Sequence, residues 1–210
     1  MPSIRRGLYA ITDGPRADLL DAVAAALRGG ARLVQYRDKT QDAARRAAEA
    51  RALVDLCSAH DVPLLVNDDV ELARACGAAG VHLGEDDADL PSARAALGGS
   101  AIVGVSCYDS LERARALAAA GADYLAFGAF FPSSSKATTR HATPLLLRQA
   151  VALRRPLVAI GGITPDNAPP LVEAGADCLA VISAVFARPD IEAAARRFAT
   201  LFPDADSHCR

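Results

Sequence analysis

The stretch GADYLAFG, residues 121–128, decides the fold of this 210-residue chain. Its glycine closes an alanine-rich helical segment, and the short apolar run behind it is typical of a buried strand. The same Gly-Ala turn recurs at Gly30, Gly77 and Gly175, each time before another apolar run. The intervals between the four turns are 47, 44 and 54 residues, and each interval has the length of two strand-helix units. The sequence therefore predicts repeated α-to-β units, of which these turns mark every second one.

Further apolar runs supply the intervening strands. They cover residues 8–12, 63–66, 101–105 and 156–160, and each precedes a polar or glycine turn and a helical pattern. Near-continuous apolar strands are typical of a parallel sheet covered by helices. Eight such units predict an α/β fold, a single (β/α)8 TIM barrel, since ~200 residues suffice for one. An open doubly wound sheet is the alternative, which the similar size of the units disfavours. We expect one domain over residues 1–202 and a frayed tail over 203–210.

The composition excludes several classes of protein. A formal net charge of −2 with interspersed acids and bases argues against nucleic acid as a partner. No stretch is apolar enough for a signal peptide or a membrane span, so we expect no membrane partner and a cytoplasmic location. The five cysteines lack C-x-x-C spacing, which favours reduced thiols that mainly serve packing.

Glycine and polar turns follow strands 7 and 8, at the end where (β/α)8 enzymes carry their chemistry. The stretches are GGITP (161–165) and ISA (182–184). Glycine lets backbone amides approach a ligand, and loops after strands 7 and 8 form phosphate sites in this fold. We therefore predict a phosphate cradle at these loops. The plainer interpretation, a tight turn with Thr164 as helix N-cap and Pro165 at the first helical position, is compatible with it.

Two cations and two carboxylates follow strands 2, 3 and 4. Arg37 and Lys39 lie two residues apart, so both can point into one space, and two cations suggest an anionic substrate. Asp68 and Asp87 would repel that anion unless a divalent metal lay between them. Mg²⁺ is typically held by one or two carboxylates and substrate phosphate oxygens. The set predicts a metal-bound diphosphate; the alternative is a structural rim salt bridge of Arg37 with Asp38 or Asp68.

The segment after strand 6 is longer than a usual connection and carries Ser133, Ser135 and Lys136. Small hydroxyl residues and a lysine suit a loop that closes over phosphate, although a solvated surface loop has the same composition. Alongside the other motifs, Lys136 is a candidate for a second cationic contact to a leaving diphosphate. His82 lies inside strand 4, and we interpret it as a core or supporting histidine rather than a metal ligand.

Taken in order, these motifs resemble the thiamine phosphate synthase family. The matching stretches are VQYRDK (34–39), VNDD (66–69), GVHLGEDD (80–87), GVS (104–106), GADYLAFGAFFPSSSK (121–136), AIGGITPDNA (159–168) and GADCLAVISA (175–184). The resemblance implies a transferase that condenses 4-amino-2-methyl-5-hydroxymethylpyrimidine diphosphate with a thiazole phosphate or its carboxylate, giving thiamine phosphate and diphosphate with Mg²⁺ as cofactor. It further implies a dissociative reaction, in which diphosphate leaves before the thiazole nitrogen captures a pyrimidine methyl cation.

The resemblance implies a role for each matching residue on the pyrimidine side. Gln35 would contact the pyrimidine, while Asp68 and Asp87 would bind Mg²⁺ with Ser106 nearby. The residues implied to be catalytic and to bind this substrate are Arg37, Lys39, Asn67, Ser106 and Lys136.

The thiazole side of the site is implied in the same way. Ser133 and Ser135 match hydroxyl positions of the thiazole-side loop. The amides around Gly162, Ile182 and Ser183 would receive the thiazole phosphate.

Two related functions on the same scaffold remain as alternatives. A thiazole tautomerase-type isomerase has a histidine soon after the strand 6 glycine, where this chain has Ala129. A non-catalytic thiamine phosphate sensor would have no use for metal and leaving-group ligands. We expect small-molecule substrates, and since barrels of this kind are often dimers, a homodimer is an open alternative for the assembly.

Overall fold

Eight parallel strands close into a barrel in the computed structural model, which describes residues 4–85, 89–132 and 139–203. Each strand pairs with its neighbour in sequence, and β1 also pairs with β8, which closes the ring. The strands are β1 (Gly7–Ile11), β2 (Ala31–Tyr36), β3 (Leu64–Asn67), β4 (Gly80–Leu83), β5 (Ile102–Tyr108), β6 (Tyr124–Phe127), β7 (Leu157–Ile160) and β8 (Cys178–Val181). The predicted (β/α)8 barrel is thereby confirmed, and the open sheet is excluded.

Helices between the strands cover the outside of the barrel. They are α1 (Leu19–Arg28), α2 (Ala43–Ala59), α3 (Val70–Cys76), α4 (Leu90–Leu97), α5 (Leu111–Ala119), α6 (Pro144–Ala150) with a 3₁₀ turn at Val151–Leu153, α7 (Pro169–Glu173), α8 (Ser183–Phe186) and α9 (Ile191–Ala199). Several helices begin directly after a residue whose side chain accepts a hydrogen bond from the backbone amide three residues further along the chain. Asp69, for example, accepts from the Leu72 amide at the start of α3. The Gly-Ala turns end helices as predicted, with φ between +73° and +107° at their four glycines.

The predicted helix start at Thr164 is wrong. Helix α7 begins at Pro169, and Thr164 instead closes a turn with Asn167. The Thr164 amide donates to Asn167 Oδ1 at 2.8 Å, and the Asn167 amide donates to Thr164 Oγ1 at 3.3 Å. Pro169 and Pro170 have no N–H to donate to the residue four positions back, so the regular helix can only begin with them.

The interior of the barrel is filled by side chains rather than open. Tyr9, Leu33, Leu65, Ile102 and Tyr124 all point inward and are almost fully buried. A second apolar cluster lies between the strands and the helices. Because the packed interior blocks passage through the barrel, a ligand can enter only from the rim, and the glycine and polar turns lie at the carboxyl rim.

Two predictions about the whole chain can be compared with the structure in part. In the ranges described, no helix is both long and apolar enough to cross a membrane. Cys57, Cys76 and Cys107 are free thiols, as predicted, Cys178 forms no disulfide with a described cysteine, and Cys209 lies outside the described residues. The tail predicted over 203–210 also lies outside them, apart from Pro203.

Candidate active site

Two adjoining cavities open at the carboxyl ends of the strands. The larger has a volume of about 490 Å³ and extends over the ends of β6, β7 and β8. The smaller, of about 260 Å³, lies over β2, β3 and β4. Arg37, Ser106, Tyr108 and Ile182 line both, so the two cavities form one continuous site.

The structure brings together the predicted site residues that it describes. The smaller cavity is lined by Gln35, Lys39, Asn67 and Asp68, the larger by Gly162 and Ser183, and both by Arg37, Ser106 and Ile182. Four further predicted residues lie outside the described ranges: Asp87, Ser133, Ser135 and Lys136.

Asp68 holds its carboxylate at the rim through an unusual backbone conformation. Its φ of +62° is in the left-handed region, which few residues other than glycine adopt. The Asp68 amide donates to the carbonyl of His82 at 2.8 Å, which ties the end of β3 to β4. Its carboxylate accepts from Asn67 Nδ2 at 2.5 Å and also contacts Lys39 Nζ. Strained backbone of this kind clusters at functional sites.

Arg37 presents a guanidinium that forms no ion pair within the described ranges. Thr12 fixes the backbone of Arg37 through two hydrogen bonds. Thr12 Oγ1 donates to the Arg37 carbonyl at 3.0 Å and accepts from the Arg37 amide at 2.8 Å. The side chain then extends along both cavities. Since no described residue pairs with it, the guanidinium can direct its N–H donors at an anionic ligand.

The rim salt bridge considered for Arg37 does not form among the described residues, because both carboxylates have other partners. Asp38 pairs with Arg45 at 2.7 Å, and Asp68 pairs with Lys39. Burial would raise the pKa of Asp38, but hydrogen bonds from Thr40 and Arg45 outweigh it and hold that pKa below its usual range. The Asp38 carboxylate is therefore paired with Arg45 and serves a structural role.

The loops after β7 and β8 present backbone amides to the larger cavity. The amides of Gly162, Ile163, Ser183 and Ala184 donate to no acceptor in the described part of the chain. Gly162 has a φ of +62°, and a Cβ there would lie 2.3 Å from the carbonyl oxygen of Pro132. Glycine at this position therefore allows the loop after β6 to pack closely, and it also leaves the amides accessible.

Arg188 is a residue of the site that the sequence analysis did not identify. It follows α8, lines the larger cavity, and forms no ion pair or side-chain hydrogen bond with the described residues. The available signal was a basic residue four positions after the ISA turn. One exposed arginine in a helical segment looks like any other surface arginine, so this signal is weak.

A chain of hydrogen bonds crosses the floor of the site. It joins Gln35 to Tyr9 (2.5 Å), Tyr9 to Tyr124 (2.9 Å), Tyr124 to His82 Nδ1 (2.7 Å) and His82 Nε2 to Ser106 Oγ (2.9 Å). Burial raises the pKa of Tyr9 and of Tyr124 well above the ordinary range, so both phenols keep their protons. His82 is thus a supporting histidine, as predicted, whereas nothing in the sequence predicts a role for Tyr9 or Tyr124.

The donor set at the smaller cavity is compatible with Mg²⁺. Across the described residues, no three His, Cys, Asp or Glu side chains converge on one point. Asp68 and Glu85 are carboxylates that line this cavity, and Glu85 forms an ion pair with Arg140 at 2.8 Å. Mg²⁺ prefers oxygen ligands and often takes only one or two carboxylates, with the rest from substrate phosphate and water. The partly exposed Asp68 carboxylate fits that requirement.

Comparison with known proteins gives matches over nearly the whole chain. A sequence profile for thiamine monophosphate synthase matches residues 8–185. A thiamine-phosphate synthase of Xanthomonas campestris pv. campestris is 56% identical over 202 residues, which cover 94% of this chain and 97% of that protein. One of Nitrosococcus oceani is 53% identical over 207 residues, covering 97% and 95% respectively. The solved thiamine phosphate pyrophosphorylase from Pyrococcus furiosus superposes with a TM-score of 0.86 at 33% identity, covering 97% of this chain and 98% of that one.

Proposed function

The chain belongs to the thiamine monophosphate synthase family, and we propose that it joins a hydroxymethylpyrimidine diphosphate to a thiazole phosphate with release of diphosphate. It is a transferase with thiamine-phosphate synthase function. What we propose beyond this is the identity of its substrates and the course of its reaction. The observation that carries it is the Arg37 guanidinium, which borders both cavities and has no ion pair among the described residues.

The two cavities suit two anionic substrates. The larger has Arg188 and backbone amides that donate to no described residue, which together suit a phosphate monoester such as the thiazole phosphate. The smaller has Lys39 and Asn67, whose N–H groups suit a diphosphate. Since Arg37 and Ser106 line both cavities, the reacting ends of the two substrates would meet beside them.

Gln35 is suited to recognise an aminopyrimidine. The residue is only 2% exposed, and its Nε2 donates to Tyr9 at 2.5 Å. That hydrogen bond fixes the orientation of the amide, so the carbonyl oxygen Oε1 is left to accept from the amino group of the ring. A pyrimidine without that amino group would leave the carbonyl unpaired and bind more weakly.

The reaction proposed for these residues is a substitution at the methylene carbon. The bond from that carbon to diphosphate breaks, and both electrons leave with the diphosphate oxygen. The lone pair of the thiazole nitrogen then forms the new carbon–nitrogen bond. Negative charge grows on the leaving group, and fixed cations such as Arg37 and Lys39 stabilise it most when it is fully developed. Lys136 is proposed to add a further cation, although it lies outside the described residues.

Mg²⁺ is proposed as the cofactor of this step. Asp68 would hold it, together with Asp87, which lies outside the described residues. The ion would supply positive charge to the diphosphate oxygens. The protein's own part is to orient Asp68, which the left-handed backbone and the Asn67 hydrogen bond do.

The proposal is tested by assaying purified protein with both substrates, with Mg²⁺ and with a chelator. We expect one diphosphate per thiamine phosphate, dependence on Mg²⁺, and a turnover about 100-fold lower in Arg37→Ala. Arg115→Ala, which removes an exposed arginine on the outer helix α5, is the control and should retain full turnover. Isomerisation of the thiazole without diphosphate would indicate a tautomerase. Binding of thiamine phosphate without turnover would indicate a sensor.

A further inference from the structure

The hydrogen-bonded chain beneath the site links two residues that face the substrates, Gln35 and Ser106. The three groups between them are buried in the barrel interior or partly so: Tyr9 is 1% exposed, Tyr124 is fully buried, and His82 lies on β4. The proposed function involves only the two ends of this hydrogen-bonded chain. Its order of donors and acceptors determines what Ser106 can do.

The direction of the chain follows from counting protons. Gln35 Nε2 can only donate, so Tyr9 accepts from it and has one proton of its own. Tyr9 has no further partner among the described residues, so that proton goes to Tyr124. Tyr124 must then donate to His82 Nδ1, which leaves the proton of a neutral imidazole on Nε2, facing Ser106 Oγ. In the reverse order the buried Tyr9 proton would have no acceptor among the residues that the structure describes.

The packing holds the central phenol in this position. A Cβ on Gly104 would lie 1.8 Å from Cζ of Tyr124, so glycine in β5 makes room for the ring. The ring of Tyr124 stacks on that of His82, with centroids 5.6 Å apart and an interplanar angle of 17°. Tyr9 meets Tyr124 edge-on at 6.0 Å. Burial raises the pKa of both phenols, so each keeps the proton that it donates near neutral pH.

We propose that Tyr124 and His82 are positioning residues, which make the Ser106 hydroxyl a hydrogen-bond donor toward the leaving diphosphate. Because Ser106 accepts from His82 Nε2, its single proton is free to point into the site. Without that constraint, Ser106 could donate to a bare imidazole nitrogen and turn its lone pairs toward an anionic substrate. This inference rests on the proposed function for the identity of the anion.

The first test is a set of substitutions analysed as a double-mutant cycle. Tyr124→Phe keeps the ring and removes the donor to His82, so kcat should fall about 10-fold or more while KM for the pyrimidine diphosphate changes little. In a Ser106→Ala background the same substitution should have almost no further effect on kcat, because the donor it orients is gone. Independent, multiplicative effects of the two substitutions would overturn the proposal.

A matched control separates positioning from stability. Tyr36 is also a buried phenol, and it donates to Glu49 at 2.6 Å on the outer side of the barrel. Tyr36→Phe should lower the midpoint of urea unfolding as Tyr124→Phe does, yet leave kcat unchanged. Among replacements of His82, Gln retains an amide N–H that can reach Ser106, so His82→Gln should recover part of the kcat lost in His82→Ala. Equal losses in both His82 variants would contradict the donor role.

A second readout does not depend on the reaction at all. In ¹⁵N spectra of the imidazole rings, His82 should appear as the neutral tautomer with its proton on Nε2, and Tyr124→Phe should shift it toward a mixture of tautomers. The signal is assigned by its loss in His82→Gln. A proton on Nδ1 in the wild-type protein would refute the inference. If the spectrum agrees but no diphosphate is released by the wild type, the proposed function fails and the hydrogen-bond order stands.

Discussion

Replacing Gly162 with alanine should damage both stability and the thiazole side of the site. Gly162 has a φ of +62°, and an added Cβ would lie 2.3 Å from the carbonyl oxygen of Pro132 and 2.7 Å from that of Phe131. Both contacts are with backbone, so no flexible side chain can move aside. The loop after β6 would have to shift away from the loop after β7.

The expected loss of stability has two parts. An alanine in the left-handed region costs about 1–2 kcal/mol. Overpacking at a close backbone contact adds about 1–3 kcal/mol. The free energy of unfolding of Gly162→Ala should therefore fall by about 2–5 kcal/mol.

Two other glycines separate these parts in urea unfolding experiments. Gly77 has a φ of +73° with nothing within 4 Å of an added Cβ, so Gly77→Ala carries the backbone cost alone. Gly99 has neither the positive φ nor a close neighbour, so Gly99→Ala should change stability by less than about 0.5 kcal/mol.

The same variant tests the assignment of the larger cavity. Because the amides at Gly162 would move with the loop, KM for the thiazole phosphate should rise in Gly162→Ala, and KM for the pyrimidine diphosphate should change less. The reasoning is refuted if Gly162→Ala is no less stable than Gly77→Ala, or if its KM for the thiazole phosphate equals that of the wild type.

Three further predictions concern single side chains. Arg188→Ala should raise KM for the thiazole phosphate about 10-fold in steady-state assays, as expected for loss of a charge-assisted hydrogen bond, and an unchanged KM would remove Arg188 from the site. The Asp68→Asn variant should require more Mg²⁺ and turn over about 100-fold more slowly, while its stability should stay close to that of the wild type because asparagine tolerates a left-handed backbone. A Mg²⁺ titration of the activity tests this, and an unchanged Mg²⁺ requirement would count against metal binding by Asp68. Burial raises the pKa of the Cys57 and Cys107 thiols to about 12, so at pH 8 both should resist alkylation until urea unfolds the protein, as measured by peptide mass mapping; rapid labelling of the native protein would contradict this.

The barrel could be predicted from sequence because its signals are local. A glycine such as Gly121 ends its helix through its own φ, and the apolar run behind it needs no distant partner to be recognised as a strand. The rim residues Arg37 and Asp68 were found for the same reason, since each directly follows a strand. The start of α7 was wrong because Thr164 is a good cap considered alone, whereas Pro169 decides where the helix begins.

The remaining features of the site depend on contacts between distant segments. Tyr9, His82 and Tyr124 lie on strands β1, β4 and β6, and each looks like an ordinary core residue in its own strand. Only the closed barrel brings their polar atoms within 3 Å of one another. Arg37 likewise has no ion pair in the described part of the chain because Arg45 and Lys39 pair with the neighbouring carboxylates of Asp38 and Asp68.

The most direct measurement of the central claim, that this rim holds a diphosphate together with its metal, is calorimetric titration of the protein with diphosphate. Binding should be at least about 10-fold tighter with Mg²⁺ than with a chelator, and should weaken by a similar factor in Arg37→Ala but not in Arg115→Ala. Diphosphate binding that is indifferent to both Mg²⁺ and Arg37 would contradict the account.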